Sequence, residues 1–306
     1  MQLTRRAFSA LVPFLPAAAM CADTPACRGL PEESECVHPE RLPRIPLGER
    51  PHIASPAPPA RMEPLAGWEP HERRPNWARG FDAPGHFALT FDDGPDPERT
   101  PPLVDYLVKH GIPATFFMIA CRAQRHASLV RDMRSAGMLI GNHSWKHCDY
   151  GQLTAQEVQE DVKVSHHVLS DIIGEPVRVF RPPLGNDSAT PGALREALHT
   201  HGYRMSCYWD TYPPDWEAER TAEELIGAIR TDMDTWDRGR RYGHWTSANG
   251  LYNFDQLWVL MHDAYGPPGR IVDVVRWVVE QGSQLNLRPA LVARDGASNR
   301  KKKAGN

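Results

Sequence analysis

Residues 88–96 read ALTFDDGPD, and the reading of the pair Asp92-Asp93 decides the fold. The apolar run Phe87-Ala88-Leu89 leads into it and calls for burial. The run ends on two adjacent carboxylates and breaks at once into Gly94-Pro95-Asp96-Pro97, a turn sequence. A strand bound for a core finishes on two negative charges when they are solvated turn residues or when they surround something positive. Adjacent side chains at a strand end point in different directions, so one carboxylate can hold a cation while the other stays free.

Working outward from this strand, apolar runs alternate with amphipathic stretches. The pattern predicts strands over 86–91, 114–119, 138–143, 177–181, 203–209, 257–262 and about 285–292. It predicts helices over 100–110, 125–136, 154–173, 190–201, 221–236 and 271–281. Thr154 with Glu157 three residues on reads as a capping box opening one of them. Strand–helix alternation implies an α/β fold with a mostly parallel sheet, covered or closed by helices.

Polar chemistry follows five of the strands. The first ends on Asp92-Asp93, the third leads into His143 and His147, and the fourth leads into Arg181. The fifth leads into Asp210, Asp215 and Trp216, and the sixth ends at His262. In a parallel α/β barrel these positions share one face, where the loops after the strands build the site. His143 and His147 are four apart, which on a helical turn puts both imidazoles on one face. With 14 histidines in the chain, such a pair also arises by accident, so the pair alone decides nothing. Two His and one Asp leave open the coordination position that a hydrolytic zinc needs, and the free carboxylate can take a water's proton. His166-His167 lies in a predicted helix where neighbours point apart, and no role is assigned to it.

The rest of the chain sets limits. Over 306 residues the net charge is −3, which gives no electrostatic case for nucleic acid or for an anionic membrane. The first residues, MQLTRRAFSALVPFLPAAAMCA, join Arg5-Arg6 to a short apolar stretch and small residues. Residues 1–22 therefore read as an export signal, similar to a twin-arginine signal, with an ordinary secretory signal as the alternative. Beyond it no apolar run approaches the length of a membrane span, and no stable membrane anchor is expected. Residues 23–80 are proline-rich without periodicity and read as an extended N-terminal arm. The domain is placed at 81–293 and a basic tail at 294–306. There are 6 cysteines and no CxxC pair, so a cysteine zinc site is not expected; Cys27 and Cys36 are near enough in sequence to pair.

TFDDGPD (90–96), HSWKH (143–147), RPPLG (181–185), DTYPPDW (210–216) and LMH (260–262) together resemble, in order and approximate spacing, the five motifs of the polysaccharide deacetylases of carbohydrate esterase family 4, the NodB-homology domain. The resemblance runs from about Gly85 to Asp263. It implies a distorted (β/α)7 barrel of the NodB-homology type and a divalent metal, with zinc the expected ion. It also implies Asp92 as catalytic base, Asp93, His143 and His147 as metal ligands, and Arg181 as the residue that holds Asp92. His262 would be the general acid, Asp215 its orienting partner and Trp216 the wall of its pocket. The backbone of Leu184, with Gly185 beside it, would line the substrate and oxyanion side.

The chain departs from the family where four residues, not the usual two, separate Asp210 from Asp215, which puts Asp210 in doubt. The span from Trp216 to His262 is also long. Its stretch 235–256 reads either as a surface insertion or as a substrate-facing loop using Trp236, Tyr242, Trp245 and Tyr252.

The activity implied is removal of acetyl groups from N-acetylated amino sugars of a polysaccharide or oligosaccharide, by an exported, periplasmic or secreted protein. Alternatives are an O-acetyl esterase or non-carbohydrate amidase on the same fold, or a carbohydrate-binding protein with a decayed site. The presence of every base, acid and ligand position argues against the last.

Overall fold

The structure, a computed structural model, describes residues 86–186, 191–203, 205–242 and 256–292. The stretches read above as export signal, arm and basic tail, and the aromatic stretch from 243 to 255, lie outside the described residues.

Seven strands form one parallel sheet: β1 (His86–Asp92), β2 (Ala114–Met118), β3 (Leu139–Asn142), β4 (Val179–Phe180), β5 (Met205–Ser206), β6 (Gln256–His262) and β7 (Arg288–Pro289). Their order is β5-β4-β3-β2-β1-β6, with β7 pairing the first residues of β1. The chain beyond β5 then returns to the far edge of β6. Thr211 bridges to Val259, and the Asp210 amide donates to the Trp258 carbonyl at 2.9 Å. This second pairing curls the sheet into the expected distorted barrel.

Helices α1 (Thr100–Lys109), α2 (Ala120–Arg125), α3 (Ala127–Ser135), α4 (Ala155–Ile173), α5 (Pro191–Thr200), α6 (Ala222–Tyr242) and α7 (Arg270–Gln284) accompany the strands. Alternation along β1 sorts its residues between two cores. Phe87, Leu89 and Phe91 join the large core with residues of the helices, while Ala88 joins a small inner cluster with Phe117, Val179, Cys207, Trp258 and Val292.

Several expectations are redrawn. The helix expected over 125–136 is α3, and an unexpected short helix, α2, precedes it across a break at His126. Strands expected over 203–209 and 177–181 shrink to two residues each, Met205–Ser206 and Val179–Phe180. The start of the 235–256 stretch is not loop: α6 runs on to Tyr242. The capping box of α4 is present, with Glu157 Oε2 accepting from the Thr154 amide at 2.8 Å.

Candidate active site

Asp92 continues the inward register of Ala88 and Thr90 and is buried at the end of β1. Asp93 then turns the chain with φ 73°, a left-handed conformation that Asp tolerates better than most residues. Arg122 Nη1 donates to the Asp93 carbonyl at 2.9 Å and holds this turn. The residue that follows must be glycine. A Cβ on Gly94 would lie 2.3 Å from Asp263 Oδ2.

Arg181 is fully buried, at 0% exposure. Its Nη1 donates to Asp92 Oδ1 at 2.7 Å and to Thr90 Oγ1 at 2.9 Å. Its Nε and Nη2 reach the carbonyls of Cys207 at 3.1 Å and Tyr208 at 3.0 Å. The guanidinium also lies over the Phe117 ring, 4.2 Å from its centre. A charge this deep persists because every face of it is engaged. One oxygen of Asp92 is thereby fixed, and the other, Oδ2, faces the histidines, 3.6 Å from His143 Nε2.

His143 and His147 do not lie on a helix, contrary to the spacing argument. They sit in the loop after β3, where Ser144 and His147 both have positive φ. Local hydrogen bonds fold that loop: Asn142 Oδ1 accepts from the Ser144 amide at 2.9 Å, and Ser144 Oγ accepts from the His147 amide at 2.8 Å. The two imidazoles still converge, with ring centres 5.0 Å apart. His143 Nδ1 lies 2.8 Å from the Arg181 carbonyl. A carbonyl only accepts, so Nδ1 carries the hydrogen and Nε2 is left as a bare donor atom.

Asp93 Oδ1 is buried, makes no hydrogen bond, and lies 3.4 Å from His143 Nε2 and 3.3 Å from His147 Nε2. Ligand atoms of these three residues all fall within 4.8 Å of one another, the only such group among the described residues. Ligands about 2.1 Å from a tetrahedral zinc stand roughly 3.4 Å apart, so the trio fits a divalent ion. Burial opposes ionisation of Asp93, but His147, His143 and His262 and the Tyr265 hydroxyl outweigh it and hold the carboxyl down at about 2. Burial is also the main force lowering His147, against the pull of Asp93, which favours the neutral, metal-binding form.

On the other side of the site Asp215 grips His262 twice. Its Oδ1 meets His262 Nδ1 at 2.7 Å and its Oδ2 accepts from the His262 amide at 2.7 Å. Burial works against a charged His262, but the Asp215 charge and hydrogen bond, followed by Asp93 and Asp92, push it up to about 9. Trp216 stands edge-on to His262 with ring centres 5.7 Å apart, and it is exposed. Leu184 has φ 57° and an exposed side chain; Gly185 follows with φ 63°, where a Cβ would meet the Trp209 ring at 2.7 Å.

Asp92, Asp93, His143, His147, Arg181, Asp215 and His262 thus come together at one end of the barrel, whereas Asp210 does not join them. Asp210 Oδ2 accepts from the Trp258 amide at 2.8 Å and stitches the barrel seam. Sequence reasoning missed Thr90, Arg122, Tyr265 and Arg270. Arg270 Nη2 donates to the Asp215 carbonyl, and Nη1 takes the carbonyls of Glu217, Ala218 and Arg220 at 2.8–3.0 Å. Only Thr90 and Tyr265, lying inside or three residues beyond a recognised motif, carried a signal that could have been followed.

Residues 82–206 match the family model described as polysaccharide deacetylase. The chain is 33% identical to a chitooligosaccharide deacetylase of Sinorhizobium fredii, over 49% of this chain and 70% of that protein. The chain belongs to the polysaccharide deacetylase family. It is also 32% identical to a peptidoglycan-N-acetylglucosamine deacetylase of Bacillus cereus, over 52% of this chain, and spans 59% of that relative's length. Among solved structures, a family 4 carbohydrate esterase from Streptomyces lividans in complex with acetate shares the deacetylase fold. Its TM-score is 0.54 at 24% identity, covering 69% of this chain and 94% of that one.

Proposed function

We propose that this protein is a metal-dependent hydrolase, with zinc the expected ion, that removes acetyl groups from N-acetylated amino sugars of a polysaccharide or oligosaccharide. The observation that carries this reading is a base held by an arginine and an acid held by an aspartate, on either side of one cluster of Asp93, His143 and His147. A divalent ion held by those three residues would acidify a water and polarise an amide carbonyl.

The protein's own groups supply the proton transfers. Arg181 ties down Asp92 Oδ1, leaving Oδ2 to take a proton from the attacking water. Asp215 occupies His262 Nδ1, so the transferable proton sits on Nε2, which faces the site 3.9 Å from Asp93 Oδ2. A value near 9 keeps that proton in place at neutral pH, ready for the departing amine. Trp216 walls the acid's pocket, and the Leu184 N–H, beside Gly185, is the donor offered to the developing oxyanion. The named activities of the two curated relatives support an acetylated glycan as substrate.

The setting we propose is outside the cytoplasm. Cys121 and Cys148 are disulfide-bonded, as suits an oxidising compartment, and the N-terminal sequence reads as an export signal. No helix among the described residues is long and apolar enough to cross a membrane.

The test is acetate release from chitooligosaccharides, peptidoglycan and acetylated xylan, with metal content measured on the same preparation. Release from an N-acetylated glycan with about one metal per chain is the expected result. Release from xylan alone would make the protein an O-acetyl esterase, and no release from any substrate by fully metallated protein would overturn the hydrolase reading.

A further inference from the structure

Tyr265 has no part in the chemistry described so far, yet it touches both halves of the site. Its hydroxyl donates to Asp93 Oδ2 at 2.9 Å. Its ring meets His262 with centres 5.6 Å apart and planes at 67°. We propose that Tyr265 is a positioning residue that confines Asp93 to one-oxygen metal ligation and keeps it in register with His262. This inference rests on the reading that Asp93, His143 and His147 hold the ion.

The two oxygens of Asp93 are treated differently. Oδ1 has no hydrogen bond and faces the Nε2 atoms of His143 and His147, whereas Oδ2 accepts from Tyr265 and lies 3.9 Å from His262 Nε2. A carboxylate with both oxygens free can swing and chelate through both. That would consume the open coordination position a hydrolytic ion needs. A hydroxyl on the outer oxygen removes this freedom, as outer partners of metal ligands commonly do.

The loop that presents Tyr265 is itself anchored. Thr100 Oγ1 donates to Asp263 Oδ2 at 2.5 Å, and the Asp263 amide reaches the Asp92 carbonyl at 3.4 Å. Arg99 Nε donates to the Gly266 carbonyl at 2.6 Å. Arg122 fixes the backbone of Asp93 from the other side. Tyr265 therefore meets Asp93 between two restrained backbones, the condition under which one hydrogen bond sets a ligand's orientation.

Two variants separate its contacts. Tyr265→Phe keeps the ring against His262 and removes only the hydroxyl; Tyr265→Leu removes both. In the full chain, Zn²⁺ affinity measured by competition with a chelating dye should fall roughly 10- to 100-fold in both variants. The visible spectrum of the Co²⁺-substituted protein should change in both, because the coordination of Asp93 changes. Turnover at saturating metal should fall further in Tyr265→Leu than in Tyr265→Phe. Unchanged affinity and an unchanged cobalt spectrum in Tyr265→Phe would overturn the proposal while leaving the metal assignment standing. A wild-type protein that binds no divalent ion would overturn the metal reading and this inference with it.

Discussion

The two sides of the barrel are held together by different means. Around β1 the backbone does the work: β1 pairs with β6 over its whole length, from His86↔Gln256 to Asp92↔His262. Base and acid candidates are thus register partners at the end of one ladder. Around β4 and β5 each strand has two residues and a short backbone ladder, and side-chain contacts add to it. There the Arg181 side chain ties β1 to the segment after β5, and its carbonyl orients His143. A backbone ladder is indifferent to which side chains it carries. A side-chain clamp depends on one residue's shape and charge.

Arg181→Met should therefore have the largest effect. It strands the Asp92 charge in a buried site, at a cost of about 3–5 kcal/mol, and it loosens the β4–β5 edge together with His143. Thermal denaturation should show the loss of stability, and turnover should collapse with it. Arg181→Lys should rescue little, since one ammonium cannot reproduce a planar fork aimed at several acceptors. A folded, active Arg181→Met protein would end the contrast drawn between the two sides.

Asp92→Asn tests the ladder-held side. The amide keeps an acceptor for Arg181 and cannot act as a base. Turnover should drop roughly 10²- to 10⁴-fold while bound metal is retained and the melting temperature falls less than in Arg181→Met. Elemental analysis beside acetate release would decide it. Loss of the metal here, with retention in Asp93→Asn, would exchange the two roles.

The smallest effect on turnover concerns the seam at Asp210. Burial pushes this carboxyl up to about 7 from an ordinary 3.8, against the pull of the Trp258 amide. The folded protein then keeps a proton that the unfolded chain releases. The associated stability is complete below about pH 4 and is lost as pH rises through about 7. Asp210→Asn still accepts from Trp258 and does not titrate. Its melting temperature should gain on the wild type between about pH 4 and pH 7, by about 2–4 °C for each kcal/mol, and the gap should then level off. A gap that stays constant across that range would show that Asp210 is ionised in the fold.

The long ladders and the motifs on them were legible in the sequence. β1, β2, β3 and β6 are mostly apolar, and Asp92, Asp93 and His262 stand at or just past their ends. The histidine pair was legible as a pair but misread as helical. Its convergence comes from positive φ at Ser144 and His147, which no side-chain period announces. The extents of β4 and β5 were overdrawn for a related reason. Val177 and Tyr203 are buried as a strand pattern implies, but they are buried outside the ladder.

By itself the sequence determined the alternating α/β order, the strand ends that carry the polar residues, and the motif set that marks the family. These depend on local periodicity and on residue identity, both of which are written along the chain. The tertiary structure alone decided which oxygen of each aspartate is free, that Arg181 sits fully buried among its acceptors, and that Arg270 and Tyr265 belong to the site. Those facts depend on distances between segments far apart in sequence: 89 residues from Asp92 to Arg181 and 172 from Asp93 to Tyr265. Only the closure of the barrel brings such segments within hydrogen-bond reach.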